Sequence, residues 1–502
     1  MRASVHLDTE HHVGPIDRRI FEGFLEHMGR AVYEGVYDPG NPLSDERGFR
    51  RDVLEALRPL GMPVMRYPGG NFVSFSDWRD GIGPKDQRPV RPDYAWRTIE
   101  TNQFGLDEFI DWSATLGTRP LLAVNLGTRG TDEAAQLVEY CNLPGGTSWS
   151  DRRRRNGHAA PYDVTLWCLG NEMDGIWQAG HVPAAVYAQR AGQAGIVMKG
   201  LDPTIETIVC GSSGQTIATY MEWDRTVLEY CWDYVDYIAA HRYSENKRGD
   251  SAWFLAEGIA IDRTLDDYAA LLGYVRAVKK SDKRVYLAFD EWNVYYRDRT
   301  QDGKWAPAPH LVEEVYNLED ALVCAQYLAS FIRHADVVKV ACLAQIVNVV
   351  APILTRPDGL LLQTIYYPFA LFSRYAVGLS LVPVVRCSTY GAGERGEVPV
   401  LDAAASYNPD AGTGAIFLVN RSQEERLEVD VRVVDRRIER IVGVESLGGG
   451  DVKAINTWER PGRVGPSPGT ATVTDDGVTA TLLKAIRYDN RRHRPALLFQ
   501  AA

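Results

Sequence analysis

Eight times along this chain a short apolar, β-branched run gives way to a segment of helical spacing, and this alternation constrains the fold more than any other feature. The runs are 20–26, 63–68, 119–126, 165–171, 205–211, 234–243, 284–291 and 339–347. They stay apolar on both alternating faces, as strands do when helices cover both sides of a parallel sheet. Between them, Val53, Leu54, Leu57 and Leu60 share one helical face in 49–60, and Leu106, Phe109, Ile110 and Trp112 do so in 104–116. The same pattern recurs in 184–199, 265–278 and 318–334. Eight such units fit a closed (β/α)8 barrel. An open doubly wound sheet is the rival, but it usually carries a Gly-rich phosphate loop after its first strand, and none follows 20–26.

After about Ala376 the texture changes. Short alternating runs at 414–419, 427–434 and 478–488 are separated by Gly, Pro, Asn and Asp clusters, which predicts an all-β sandwich. Residues 2–7 alternate in the same way and are expected to join it. The polar, turn-rich stretch 451–468 reads as a surface loop. With 502 residues the chain exceeds one hydrophobic core. The expected fold is therefore α/β: a TIM barrel over 18–376, with 377–502 and 1–17 forming the β-sandwich.

A net charge of −11 argues against nucleic acid or an anionic membrane as partner, and suits a neutral substrate or a transition state that develops positive charge. Arg152–Arg155, next to Asp151, reads as a solvated loop. The N-terminal residues lack an apolar signal core, and no apolar stretch is long enough for a bilayer. The seven cysteines are scattered without a Cys-x-x-Cys pair, as expected of reduced thiols in a cytoplasmic protein. No His/Asp/Glu cluster has metal-ligand spacing, His11-His12 falls in a polar turn, and no Gly-x-Ser-x-Gly elbow appears. Neither metal nor cofactor is expected.

Barrel chemistry gathers at the C-terminal ends of the strands. The eight ends carry, in order, Glu26-His27, then Arg66 with Gly69-Gly70-Asn71, Asn125, Asn171-Glu172, Ser212-Ser213, His241-Arg242-Tyr243, Glu291, and Gln345 with Asn348. Asn, Gln, Glu and Tyr suit sugar hydroxyls, which both donate and accept. Trp96, Trp177 and Trp292 lie near these ends and are candidates to stack on sugar faces. Glu172 and Glu291, each closing an apolar strand, form the carboxyl pair that glycosidic cleavage needs.

These segments closely resemble the α-L-arabinofuranosidases of glycoside hydrolase family 51. The likeness rests on Gly23–Arg30 (GFLEHMGR), Arg66–Phe72 (RYPGGNF), Thr101–Gly105 (TNQFG) and Leu169–Asp174 (LGNEMD), and it spans nearly the whole chain. It implies Glu172 as general acid/base and Glu291 as nucleophile. It also implies that Glu26, Asn71, Asn171 and Gln345 hold the arabinofuranose hydroxyls, and that Tyr243 hydrogen-bonds the nucleophile. Arg66 would sit behind the nucleophile, with His241 as a second supporting residue, and Trp96 and Trp177 would line the pocket or the leaving-group side. A jelly-roll-like sandwich and a homo-oligomer, often a hexamer, are implied as well. The chain departs from the pattern at Ser74-Phe75-Ser76-Asp77-Trp78, where relatives usually carry Gly-Tyr, so leaving-group preference is open there.

The expected activity is retaining, exo-acting release of terminal α-L-arabinofuranosyl units from arabinan- or arabinoxylan-derived oligosaccharides. Retention requires the two carboxyl groups roughly 5–5.5 Å apart, and a gap nearer 9 Å would mean inversion. The same fold acting on β-xylosides or β-glucans, and an inactive carbohydrate-binding barrel, are the competing readings.

Overall fold

The computed structural model describes residues 1–298, 305–448, 451–474, 477–482 and 497–501. The parallel strands β1 (Glu22–Phe24), β2 (Val64–Tyr67), β3 (Arg119–Ala123), β4 (Leu166–Leu169), β5 (Glu206–Val209), β6 (Tyr237–Ser244), β7 (Tyr286–Val294) and β8 (Val338–Ala344) close into one barrel in chain order. Each falls within or overlaps a run read from the sequence. Phe24, Val64, Leu121, Ala123, Cys168, Ile208, Ala288, Val340 and Cys342 fill the interior. The outward residues Leu122, Trp167, Val209, Leu287 and Phe289 pack under the helices instead, so each strand buries both faces.

Strand β7 breaks this alternation. Between its pairings with β6 and β8 it carries one extra residue, because Ala288 and Glu291 face Ala239 and His241, while Phe289 and Trp292 face Ala341 and Leu343. The bulge turns two consecutive carboxylates, Asp290 and Glu291, toward the barrel axis.

The helices Arg51–Leu57, Leu106–Leu116, Ala184–Leu201, Glu257–Lys279 and Leu318–Arg333 occupy the segments of helical spacing. The reading of Arg152–Arg155 as a loop is corrected: they end a helix, Ser148–Arg155. Arg153 is fully buried there and donates to the carbonyls of Tyr140, Leu143 and His158. The stretch 451–468 is also more than a surface loop. Val452, Ala454 and Val464 are buried, and the carbonyls of Ala454 and Val452 accept from Leu318 N and Glu319 N at a helix start.

Two sheets follow the barrel, antiparallel except for one parallel pair between Arg2–Leu7 and Leu427–Val433. One has Arg2–Leu7 between Val384–Arg386 and Leu427–Val433, so the N-terminal strand is part of the sandwich. The other centres on Leu401–Asn408 and Thr413–Asn420, and His12–Pro15 lies at its edge. Of the run 478–488, Gly477–Leu482 is a strand and the remainder lies outside the described residues. The last barrel-side helix ends at Tyr375 and the next strand starts at Leu379, and we propose the domain division, 18–376 against 1–17 plus 377–502, across this gap. Phe372 stacks on Phe417 at 4.1 Å across the junction. Among the described residues, no helix is long and apolar enough to cross a membrane.

Candidate active site

At the C-terminal mouth of the barrel, Glu26, Gly70, Asn71, Trp96, Glu172, Tyr243, Glu291 and Gln345 line one pocket of about 150 Å³. This is small beside the roughly 300–1,000 Å³ of drug-sized sites and leaves room for a single sugar ring.

The two strand-end glutamates meet here. One carboxylate oxygen of Glu172 and one of Glu291 lie within 4.8 Å of each other, and His241 Nδ1 lies 2.9 Å from Glu172 Oε1 and 3.4 Å from Glu291 Oε2. Glu172 follows Gly170 in a tight turn and has φ +45°, left-handed backbone that a glutamate seldom adopts. Such strain gathers where a side chain must be aimed. Its Oε2 accepts from Trp177 Nε1 (2.9 Å) and its Oε1 from His241 Nδ1 (2.9 Å). Trp177 stands at the rim, half exposed.

Glu291 is held from two sides, Oε1 by Arg66 Nη1 (2.8 Å) and Oε2 by the Tyr243 hydroxyl (3.0 Å). Burial and the neighbouring Glu291 charge push the Tyr243 hydroxyl well above the usual tyrosine range, so it stays a donor. Arg66 is fully buried, lies over the Phe24 ring at 4.6 Å, and also donates to Asn171 Oδ1 (2.7 Å). Its Nε is 3.2 Å from Asp290 Oδ2. Asn171 Nδ2 in turn reaches Asn71 Oδ1 at 3.3 Å.

Asp290 was not among the residues singled out from the sequence, yet it lies beneath the whole constellation. It faces Arg66, His241 Nε2 (3.2 Å) and Cys168 Sγ (3.6 Å). Burial alone would raise its carboxyl, but Arg66 and His241 outweigh that and hold it below the ordinary value. Burial likewise opposes a charge on His241, and Glu291 and Asp290 overcome it, raising the imidazole well above its ordinary value. Both ring nitrogens then donate, Nδ1 to Glu172 Oε1 and Nε2 to Asp290 Oδ1. Glu172, His241 and Glu291 also have the donor types of a metal site, with one ligand atom of each within 4.8 Å of the others, and His241 Nδ1 lies between the two glutamates.

Glu26 closes the opposite side. Its Oε1 accepts from Phe72 N (2.9 Å) and Trp96 Nε1 (3.0 Å), and Gln345 Nε2 approaches Oε2 at 3.3 Å. The Gly-Gly of 69–70 has a steric reason, since a Cβ on Gly70 would lie 2.3 Å from Glu26 Oε2. Burial first, then the Glu291 charge, pushes the Glu26 carboxyl up to about 8. A raised acid pKa gives stability that is complete below the ordinary 4.5 and is lost as pH climbs to about 8. The wild type should therefore lose up to about 1.4 kcal/mol per pH unit across that window relative to Glu26→Gln, which cannot ionise. Denaturant unfolding of both proteins at several pH values measures this, and parallel curves would refute it.

Not every strand end joins the pocket. Asn125 staples its own loop, accepting from Gly127 N and Thr128 N. Ser212 bonds Asp224, and Ser213 bonds Asp174. Asn348 bonds Arg30 O and Thr355. Trp292, a candidate stacking residue, is corrected: it is fully buried behind the barrel wall against Tyr327, Phe331 and Phe369. His27, whose role the sequence did not indicate, stacks on Phe72 at 4.7 Å and bonds Glu100 Oε2 (2.8 Å) and the Tyr67 hydroxyl (2.7 Å).

The profile of the α-L-arabinofuranosidase 1 domain matches residues 56–260, and that of the α-L-arabinofuranosidase C-terminal domain matches 290–485. An intracellular exo-alpha-(1->5)-L-arabinofuranosidase 1 from Bacillus subtilis is 43% identical over 483 residues, covering 95% of this chain and 96% of that protein. An exo-alpha-(1->6)-L-arabinofuranosidase from Bifidobacterium longum is 42% identical over 490 residues, covering 95% and 94%. The solved structure of a family 51 α-L-arabinofuranosidase from Bifidobacterium longum superposes with a TM-score of 0.94 at 35% identity, covering 100% of this chain and 99% of the other.

Proposed function

The chain belongs to the α-L-arabinofuranosidases of glycoside hydrolase family 51, and on that premise we propose that it removes terminal non-reducing α-L-arabinofuranosyl units from arabinan- or arabinoxylan-derived oligosaccharides with retention of configuration. The observation that carries this reading is the approach of Glu172 and Glu291 to within 4.8 Å across one ring-sized pocket. That spacing suits direct attack on the sugar and leaves no room for the water that an inverting enzyme places between its carboxyl groups.

In the first step a Glu291 oxygen bonds to the anomeric carbon while the glycosidic C–O bond breaks. Glu172 gives its proton to the departing oxygen, on the rim side where Trp177 stands. In the second step Glu172, now a carboxylate, takes a proton from water, and the resulting hydroxide displaces Glu291. Arg66 and Tyr243 fix Glu291 so that little reorganisation is needed during attack. Asn171, anchored through its oxygen by Arg66, presents its amide N–H groups toward the sugar 2-hydroxyl, a contact that strengthens as the ring becomes oxocarbenium-like. Glu26, Asn71 and Gln345 bind the remaining hydroxyls, and Trp96 forms a wall.

Proton NMR of the first-formed product tests the stereochemistry, and an initially inverted arabinose would overturn the proposal. Nitrophenyl arabinofuranoside should be cleaved far faster than the xyloside or cellobioside. Glu172→Ala should lose about 10²–10⁴-fold on natural oligosaccharides. With an activated nitrophenolate leaving group it should still form the glycosyl-enzyme. Near-normal turnover of oligosaccharide by this variant would exclude Glu172 as the acid/base. Linkage is best read from a product profile on defined α-1,5, α-1,6 and branched arabino-oligosaccharides, because relatives of nearly equal identity are named for different linkages. Several of those relatives are named intracellular, which supports cytoplasmic action on imported oligosaccharides. The proposed homo-oligomer, a hexamer, is checked by light scattering.

A further inference from the structure

A second, larger cavity of about 500 Å³ opens beside the active site and shares no lining residue with it. It lies between the segments that follow β2 and β3. Its walls are aromatic, formed by Phe72, Phe75 and Trp78, and Phe75 is exposed. Among its lining residues Glu133 is 94% buried (6% exposed), and its Oε2 has no hydrogen-bond partner among the described residues. Trp78 Nε1, on the same cavity, is also buried without a partner.

An unpaired buried carboxyl oxygen and an unpaired indole N–H are costly to leave unmet, so both point to a ligand that satisfies them. The charged groups around the cavity do not favour an ion. Asp77 is paired with Arg79 (2.7 Å) and Arg129 (3.1 Å), and Asp80 with Arg91 (2.9 Å). Burial, then Asp77, pushes the Glu133 carboxyl up to about 8 against the pull of Arg79 and Arg129, so near neutral pH it carries its proton. A protonated carboxyl both donates and accepts, as a sugar hydroxyl does. The aromatic walls suit the apolar face of a sugar ring.

We propose that this cavity is a second binding site for a neutral pentose unit, held by Glu133 and the Trp78 indole N–H and packed on Phe75. That the pentose is arabinose rests on the activity proposed above. The site shares structure with the catalytic pocket through one hairpin, Arg91–Asp93 paired with Thr98–Glu100. Asp93 lines the cavity and accepts from Trp96 N (2.9 Å), while Trp96 lines the catalytic pocket. The occupant is either a distal unit of the bound oligosaccharide or free pentose, and the kinetics on an oligosaccharide substrate separate the two.

The test uses Glu133→Leu and, as a second variant that keeps the core filled, Trp78→Phe, both checked for wild-type melting. Isothermal titration of the inactive Glu291→Gln protein with L-arabinose should show two sites per chain, and one when Glu133→Leu or Trp78→Phe is added. If the occupant is part of the substrate, each variant should lower kcat/KM for arabinotriose about tenfold, as loss of a buried hydrogen bond does, and leave nitrophenyl arabinofuranoside unchanged. If it is free pentose, the loss of one arabinose site should occur without that kinetic change. Unchanged stoichiometry together with unchanged arabinotriose kinetics in both variants overturns the proposal. Titration with xylose and ribose alongside keeps the result independent of the activity assignment, because a failure to hydrolyse arabinofuranosides would not alter the site count.

Discussion

Glu291→Ala is expected to lower kcat on arabinofuranosides by about 10⁵–10⁶-fold, the scale seen when a covalent nucleophile is removed. Little rescue is available from the remaining groups. Arg66 and Tyr243 would keep their places but face an empty volume, and Glu172 sits on the leaving-group side. Azide, small enough for the vacated space, should restore part of the rate on an activated substrate and yield an arabinosyl azide of inverted configuration. That product is the decisive readout, because loss of rate alone would follow from any damage to the pocket. An azide product of retained configuration, or none despite a folded protein and bound substrate, would remove Glu291 from the role of nucleophile.

Arg66→Met carries the largest expected effect on stability, about 3–5 kcal/mol at neutral pH. Arg66 is fully buried between Asp290 and Glu291, and removing it leaves the two carboxylates with only the His241 imidazole as a cationic neighbour. The pH dependence follows from Asp290. Its carboxyl is depressed in the folded state, so the stability it contributes is present above the ordinary 3.8 and is lost as pH falls through the folded value. The destabilisation by Arg66→Met should therefore be largest near pH 7 and shrink in acid, where the carboxyls are protonated. Denaturant unfolding of both proteins at pH 7 and about pH 3 compares the two. A loss equal at both values would mean that Arg66 matters for packing and not for charge.

The alternation of runs was enough to read the barrel, because strands covered on both faces leave continuous apolar stretches that few other segments mimic. It was less informative about direction. Asn125 and Ser212 end their strands as Asn171 does, but the chain turns at once and their side chains bond their own loops. Trp292 shows a related limit: it follows the inward Glu291 and so faces outward, which strict alternation would have indicated. Alternation fails one position earlier, where the extra residue in β7 brings Asp290 to the axis beside Glu291. A bulge of this kind leaves no mark in composition or spacing. The arginine run of 152–155 misled for a different reason. Charge suggests solvent, yet Arg153 is buried because three backbone carbonyls, distant in sequence logic but adjacent in space, satisfy its guanidinium. The Glu133 carboxyl was equally invisible, since only the packed helix Thr131–Asn142 shows that its Oε2 has no hydrogen-bond partner among the described residues.

The strand Arg2–Leu7 aligns in register with Leu427–Val433. A ribosome making about 5–20 residues per second needs roughly 20–80 s to span the intervening 420 or so positions. During that interval the whole barrel can form while this strand still lacks the neighbour it will lie beside. A gene fragment ending after the barrel would leave the same strand permanently without its companion, as an open edge that other unfinished chains can pair with.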